Sequence, residues 1–148
     1  MPVEITVYGR AAPAGSKTSG VRNDGRRFVR DSSKAAGPWK RAVAEAAGRE
    51  MDSRELLAGP LRLALTFVVA RPLGHYGTGR NNGRVRPSAP AYPTTRPDLT
   101  KLTRAVEDAL TGVVWRDDAQ VVLQTIAKVY GEPARVHVTV TPVREENP

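Results

Sequence analysis

Residues 96–122, RPDLTKLTRAVEDALTGVVWRDDAQVV, decide the fold because they join a helix signal to a strand signal through an acidic turn. Proline suits the first turn of a helix and an aspartate can cap exposed amides, so Pro97 and Asp98 mark a helix start. Gly112 is placed to end that helix, which is predicted over residues 99–111. Its core face is predicted from apolar side chains at helical spacing, namely Leu99, Leu102, Val106, Ala109 and Leu110.

Strand patterns lie on both sides of this segment. Residues 61–69, LRLALTFVV, alternate most clearly, and residues 3–8 alternate in the same way. Two further strands are predicted over residues 119–130 and 135–142, joined by a turn at 131–133 that contains glycine and proline.

A second helix is predicted over residues 34–57, with Trp39 in the core and Gly59-Pro60 ending the element. Before it, the turn signal NDG at 23–25 precedes a short returning strand at 26–30. The order of elements predicts an α+β fold, with a mixed four-stranded sheet and two main helices packed on it. The length suits a single domain over residues 1–148.

The chain is strongly basic, with a formal net charge of +8 over 148 residues. This balance points to a polyanionic partner, nucleic acid before an anionic membrane surface, although it can also serve only to keep a protein in solution. The lack of cysteine excludes disulfides and thiolate metal sites. No apolar run is long enough to span a bilayer and the first residues do not resemble a signal peptide, so we expect a cytoplasmic, nucleoid-associated protein with no membrane partner. The lone Ser16-Lys17 lacks the rest of a phosphate-loop pattern, so no nucleotide cofactor is expected.

Two basic segments are the expected DNA contacts. Residues 71–97 form a long loop with five arginines and no acidic residue, which suits a mobile clamp on phosphates and equally a disordered insertion. Residues 143–148 are predicted to be a disordered tail. The side chains expected to contact phosphates are Lys17, Arg22, Arg26, Arg27, Arg96 and Lys101.

Three aspartates, Asp98, Asp117 and Asp118, stand in this basic setting. Mg²⁺ takes oxygen ligands and keeps several waters, so two or three carboxylates suffice to hold it. Bound Mg²⁺ acidifies a water and neutralises charge on a transferring phosphate. The plain alternatives are that Asp98 only caps the helix and that Asp117-Asp118 only form a polar turn.

The block at 96–122 resembles the core of the RusA family of Holliday-junction resolvases over about 27 residues. That family's pattern is roughly D-x-D-N-L-x-K, then D-A-L, then D-D-x-Q-V. Asp98 matches the first Asp, Asp108-Ala109-Leu110 match D-A-L, and the second block is matched by Trp115, Asp117, Asp118, Ala119, Gln120 and Val121.

The resemblance implies a homodimeric endonuclease, dependent on Mg²⁺ or Mn²⁺, that cuts four-way DNA junctions in recombination and repair. It implies that Asp98 and Asp118 ligate the metal and that Asp117 supports them. Arg104 stands at the family's functional lysine and would stabilise charge at the scissile phosphate. Arginine keeps the positive charge but cannot donate a proton.

The sequence departs from the family where Thr100 replaces the second Asp and Lys101 replaces the Asn. Threonine brings no negative charge to a metal, so the alternative function is a junction-binding protein with impaired catalysis. Glu107 lies on the helical stripe of Thr100 and Arg104 and is a possible substitute ligand. It can equally form an i, i+3 pair with Arg104.

Chain length limits how the aspartates meet. Thirteen helical residues carry the chain about 20 Å from Asp98, and residues 111–118 span at most about 23 Å. Asp118 can therefore just return to Asp98 within one chain if residues 112–117 run back along the helix. Otherwise the two meet across a dimer interface, and the sequence leaves both arrangements open.

Overall fold

Six strands and two α-helices form the part of the chain that the computed structural model describes, which is residues 2–15, 17–21, 23–31 and 34–144. Of residues 17–21 and 27–31 the backbone alone is described. In chain order the elements are β1 (Val3–Tyr8), β2 (Lys17–Val21), β3 (Arg27–Asp31), α1 (Ala36–Met51), β4 (Leu61–Val69), α2 (Leu99–Leu110), β5 (Val121–Tyr130) and β6 (Arg135–Pro142).

The main sheet has four strands in the order β1-β6-β4-β5. Strand β6 pairs antiparallel with both β1 and β4, whereas β4 and β5 run parallel, so the sheet is mixed. This arrangement confirms the predicted α+β fold. Strands β2 and β3 pair with each other as a separate antiparallel hairpin, at the place where the NDG turn predicts a returning strand.

The core lies between the sheet and the two helices. Alternate residues of β4 are buried, with Leu61, Leu63 and Phe67 fully so, because the strand turns every second side chain toward the helices. Helix α2 contributes Leu102 and Leu110 to the same core, and both are also buried. Burying each such side chain contributes about 1.5–3 kcal/mol, so these facing layers hold α2 in register over the sheet.

Helix α1 is shorter than the pattern predicts. It ends at Met51 and not at residue 57, because Asp52 and Ser53 take positive φ angles of 21° and 60° that a right-handed helix cannot continue. The chain then returns to the core, where the Leu57 amide donates to the Val114 carbonyl at 2.8 Å. Trp39 is buried as predicted.

Helix α2 ends one residue before the predicted boundary, and Gly112 follows it with φ of 86°, the left-handed conformation that suits glycine after a helix. The turn is closed by the Gly112 amide, which donates to the Trp115 carbonyl at 2.7 Å. Trp115 is fully buried, and its indole N–H donates to Thr111 Oγ1 at 3.0 Å. This tight turn sends residues 116–118 back along the flank of α2.

The long basic loop has a defined path. It contains two short 3₁₀ turns, Leu73–His75 and Gly79–Asn81. Lys128 of β5 donates to the carbonyls of Thr95 and Pro97 at 2.8 and 3.0 Å, which fixes the loop where it enters α2. Of the expected disordered tail, residues 145–148 lie outside the described residues, and the Val143 amide donates to the Pro60 carbonyl. Across the described ranges, no helix has the length and apolar character needed to cross a membrane.

Candidate active site and nucleic-acid interface

A cavity of about 250 Å³ lies between α2 and β5, the edge strand of the sheet. It is called the acidic cavity here because three carboxylates line it. Its lining residues are Thr100, Thr103, Arg104, Glu107, Asp108, Asp118, Gln124 and Ile126. Helix α2 supplies most of them from one stripe of its surface, since residues three and four apart lie on the same side of a helix.

Glu107 is the partly buried carboxylate of this cavity. Its Oε1 accepts a hydrogen bond of 2.6 Å from the side-chain amide of Gln124 on β5. Burial raises the pKa of Glu107 above its ordinary value of 4.5, and the nearby charges of Asp118 and Asp108 raise it further, while the Gln124 bond and Arg104 act in the opposite direction. Arg104 therefore acts on Glu107 through its charge, which lowers the Glu107 pKa, whereas the hydrogen bond of Glu107 comes from Gln124.

Asp118 is held by the turn in which it lies. Asp117 caps the short 3₁₀ segment Asp118–Gln120, and its carboxylate accepts from the Ala119 amide at 2.9 Å. The Asp117 side chain therefore stabilises the turn, whereas Asp118 lines the acidic cavity and remains exposed. The two neighbouring aspartates that the sequence sets side by side occupy different surroundings.

Gln120 anchors that turn to the rest of the molecule. Its Oε1 accepts from the amides of Arg116 and Asp117 at 3.0 and 3.1 Å. Its Nε2 donates to the carbonyls of Leu57 and Gly59 at 2.9 and 3.1 Å. One side chain thus joins the turn before β5 to the segment before β4, and it fixes where Asp118 stands.

Asp98 lies at the start of α2 and does not line the acidic cavity. It occupies the N-cap position, but its side chain makes no capping hydrogen bond, so the predicted role as a cap is not what its carboxylate does. It is exposed and lines a second cavity of about 650 Å³, called the basic cavity here. The lining residues of the basic cavity are Arg10, Ala11, Ala12, Pro13, Ala35, Arg96, Pro97, Asp98 and Lys101.

Helix α2 therefore separates the two predicted metal ligands, Asp98 and Asp118, into different cavities. Each residue advances about 100° around a helix, so Asp98 falls roughly 160° from Thr100, while Lys101 falls between Asp98 and Arg104, about 60° from each. Asp118 does return to α2 within one chain, but it does not line the cavity of Asp98 as the first of the two arrangements requires. The carboxylate that it meets there is Glu107.

The predicted DNA contacts are only partly brought together. Arg96 and Lys101 line the basic cavity with Arg10. Arg26 is exposed on the hairpin turn, 3.9 Å from the carboxylate of Asp24. Arg22 and the side chains of Lys17 and Arg27 lie outside the described residues.

Oxygen donors suited to a hard cation converge on the acidic cavity. Within the described ranges, no three acidic or histidine side chains are close enough to make a metal-binding group by themselves. Glu107 and Asp118 supply two carboxylates, and Thr100 and Gln124 add neutral oxygens. Asp108 is engaged by Lys40 of α1 at 3.1 Å. Two carboxylates with neutral oxygens and waters are a set that Mg²⁺ accepts, so the residues present fit such an ion.

Sequence reasoning did not single out Gln124, Gln120 or Arg10 as functional. A signal existed for Gln124, which is a polar residue inside the apolar run VVLQTI and lies on the helix side of β5 beside Leu63. For Gln120 the signal was its place in the D-D-x-Q-V pattern. Nothing in the sequence distinguishes Arg10 from the other cations of its segment.

Comparison with known proteins gives two findings. A sequence profile described as "Endodeoxyribonuclease RusA" matches residues 11–141. The chain is also similar to the "Uncharacterized protein YqaN" of Bacillus subtilis (strain 168), with 29% identity over 141 residues that cover 95% of this chain and 96% of that protein. The matched region contains both cavities apart from Arg10, and the relative's name states no activity.

Proposed function

The chain belongs to the RusA family of endodeoxyribonucleases, and from that premise we propose that it is a divalent-metal-dependent nuclease that resolves four-way DNA junctions. The observation that carries the proposal is the acidic cavity, where two carboxylates stand beside Arg104 in a protein of net charge +8. Carboxylates that hold a cation inside a positive surface are suited to a phosphodiester substrate.

Asp118 and Glu107 would hold the metal, assisted by the oxygens of Thr100 and Gln124. When bound, Mg²⁺ or Mn²⁺ would make a water more acidic and offset charge on the phosphate. The raised pKa of Glu107 supports this assignment, because burial and the neighbouring charges of Asp118 and Asp108 disfavour its ionised form, and a bound cation would offset both effects. Asp98, the other ligand expected from the family pattern, remains a prediction to be tested beside them.

Arg104 would bind the phosphate that is cut. Its guanidinium is always charged and presents paired N–H donors that match two phosphate oxygens. It lies in the cavity of Asp118 and is exposed, so a phosphate can reach it from solvent. Because arginine cannot give up a proton, Arg104 would stabilise charge and leave proton transfer to water or a carboxyl group.

The basic cavity would hold the DNA near the cut. Arg96 and Lys101 line the basic cavity, and Lys101 lies three residues before Arg104 on the surface of α2, so a strand passing over the first turns of the helix could contact all three. We further propose that the protein acts as a homodimer. Resolving a junction needs two symmetric cuts, which a two-fold dimer with one site per chain can make.

A second candidate function is junction binding without cleavage. Thr100 motivates it, since this residue faces the acidic cavity where the family pattern has an aspartate. The two functions are separated by one pair of measurements. A synthetic four-way junction is incubated with Mg²⁺ or Mn²⁺ to score nicking, and binding is followed in EDTA by gel shift.

If the nuclease proposal is right, the wild-type protein nicks the junction in pairs, and Asp118→Asn and Glu107→Gln each lower the rate by about 100-fold or more, as losses of charge stabilisation in active sites do. Asp52→Asn and Glu45→Gln, exposed acidic residues outside the cavity, serve as matched controls and keep full activity. Tight binding without nicking at any metal concentration would establish the second function.

A further inference from the structure

The basic cavity adjoins a second, more enclosed space that the proposed function does not use. This inner chamber has a volume of about 360 Å³ and shares four lining residues with the basic cavity, namely Arg10, Ala11, Arg96 and Pro97. Its size falls in the range of small-molecule sites. These four residues border both spaces.

The walls of the inner chamber are mainly apolar and come from four parts of the fold. Phe67 lies on β4, Leu102 on α2 and Tyr130 on β5, while Pro72 comes from the long loop. Phe67 and Leu102 are themselves buried in the core, so the chamber is backed by packed residues that do not need to move. Such walls suit a flat, weakly polar body.

Tyr130 is held in place at this wall. The guanidinium carbon of Arg71 lies 4.3 Å from the centre of the Tyr130 ring, and the His75 ring meets it edge-on at 5.3 Å. Arg71 is fixed in turn by a 2.8 Å hydrogen bond to the Pro90 carbonyl. A pre-positioned aromatic ring offers a stacking partner without the entropy cost of ordering it.

The mouth of the chamber is positive. Arg10, Arg96 and Lys101 are exposed around the basic cavity, against the single carboxylate of Asp98. Among the residues that the structure describes, none of these three cations forms an ion pair within 4.0 Å. They come from three different segments, so the fold itself gathers the charge at one place.

A positive mouth beside an apolar chamber with an aromatic ring in its wall suits a phosphate that carries a planar ring. We propose that the inner chamber receives one unstacked nucleotide of the DNA substrate, with its phosphate on Arg10 and Arg96 and its base against Tyr130. The proposal rests on the proposed function for the identity of the substrate. Bases at a branch point lose stacking more easily than bases inside a duplex, so the junction is the natural source.

The test uses a four-way junction with two adjacent 2-aminopurines at the branch point, in EDTA so that no cleavage occurs. Stacked 2-aminopurines give an exciton couplet in circular dichroism, which disappears when one of them leaves the stack. We expect the couplet to be lost on binding of the full-length protein. A gel shift on the same samples shows whether the junction is bound.

Two variants examine the chamber itself. Ala11→Leu adds bulk where the two spaces adjoin without changing charge, and Arg96→Ala removes a mouth cation at an exposed position. Both should keep the couplet in the bound junction. The matched controls are Ala127→Leu, half-buried on β5, and Arg80→Ala, exposed in the same loop, and both should behave like wild type. Thermal unfolding of each variant verifies the fold.

Each outcome decides the proposal. A couplet that survives binding of wild-type protein, or that is lost equally with Ala11→Leu and Arg96→Ala, overturns it. If the junction is not bound at all, the proposed function fails. The chamber is then tested by itself, by measuring whether it binds a free mononucleotide. Binding of deoxycytidine monophosphate to wild type, weakened about tenfold in both variants, would then make the chamber a site for free nucleotides, and no binding would refute it.

Discussion

At the scale of single residues, Glu107 has the least ordinary environment in the acidic cavity. It is partly buried beside Asp118 and Asp108, and its ionisation is therefore harder than that of a glutamate in water. The ionised form of such a carboxyl group is disfavoured unless a positive charge lies close to it. It should accept either a proton or a cation.

The pH dependence of stability follows from the direction of this shift. The pKa of Glu107 is raised in the folded state, so the folded protein binds more protons than the unfolded chain in the window above pH 4.5. The contribution of Glu107 is complete below that pH and is lost as the pH rises through its folded pKa. Glu107→Gln, whose amide oxygen can still accept from Gln124, should therefore be slightly more stable than wild type at pH 7.

This prediction is checked by thermal unfolding of both proteins at pH 4 and pH 7 without metal. We expect equal melting temperatures at pH 4 and a higher melting temperature for Glu107→Gln at pH 7, because the variant has no charge to keep in this partly buried place. Excess Mg²⁺ should reverse the order at pH 7. A variant that is less stable than wild type at both pH values would contradict the assignment of Glu107 to a strained acidic pair.

Direct metal binding separates the roles of the aspartates. Mn²⁺ binding, followed by electron paramagnetic resonance, should weaken about tenfold or more in Asp118→Asn and in Glu107→Gln, because each removes a charged oxygen ligand. Asp98→Asn should change Mn²⁺ affinity much less, since Asp98 lines the basic cavity. Equal losses for Asp98→Asn and Asp118→Asn would return Asp98 to the metal site that the family pattern implies.

At the scale of elements, the turn before β5 positions the chemistry. Gln120 makes four hydrogen bonds there, two to the turn itself and two to the segment before β4. The buried Trp115 fixes the other end of the same turn. Asp118 thus stands between two anchored points, although its own side chain is exposed.

Gln120→Ala should be destabilised by about 2 kcal/mol, because four backbone groups lose a partner and each hydrogen bond contributes roughly half to one and a half kcal/mol when water can replace it in part. Its Mn²⁺ affinity should fall as well, as Asp118 loses its fixed position. Denaturant unfolding and Mn²⁺ binding measure the two effects. Gln120→Glu is the informative comparison, since it keeps the acceptor for the turn but sets a carboxylate against two carbonyls. Normal metal affinity in both variants would show that Gln120 does not position the site.

At the scale of the whole molecule, the net charge of +8 governs how the protein meets DNA. Each phosphate contact releases counterions, so the logarithm of the binding constant should fall linearly with the logarithm of salt concentration. Removing one contacting cation should reduce the slope by about one. We expect this for Arg96→Ala and Lys101→Ala, measured by fluorescence anisotropy on a labelled junction. Arg49→Ala, exposed on α1 away from both cavities, should leave the slope unchanged.

The fold could be predicted because its pattern is local. The strand at 61–69 alternates without interruption, and Gly112 ends α2 by a backbone conformation that glycine adopts most easily. The end of α1 could not be predicted in this way, since Asp52 and Ser53 are ordinary polar residues whose positive φ angles arise from the return of the chain to the core. It was harder still to predict which residues meet in the site. Spacing places Glu107 on the stripe of Thr100, but only the course of residues 112–118 determines that Asp118 meets this stripe and not Asp98.

The position of α2 between two cavities has a practical consequence for protein engineering. Arg104 and Glu107, proposed for cutting, line the acidic cavity, whereas Arg96 and Lys101, proposed to bind DNA, line the basic cavity at the start of the same helix. Directed evolution could therefore randomise Lys101 and Arg96 to change which DNA is chosen while Arg104 and Glu107 stay untouched. The same separation allows a catalytically silent variant to be kept as a probe that marks branched DNA without cutting it.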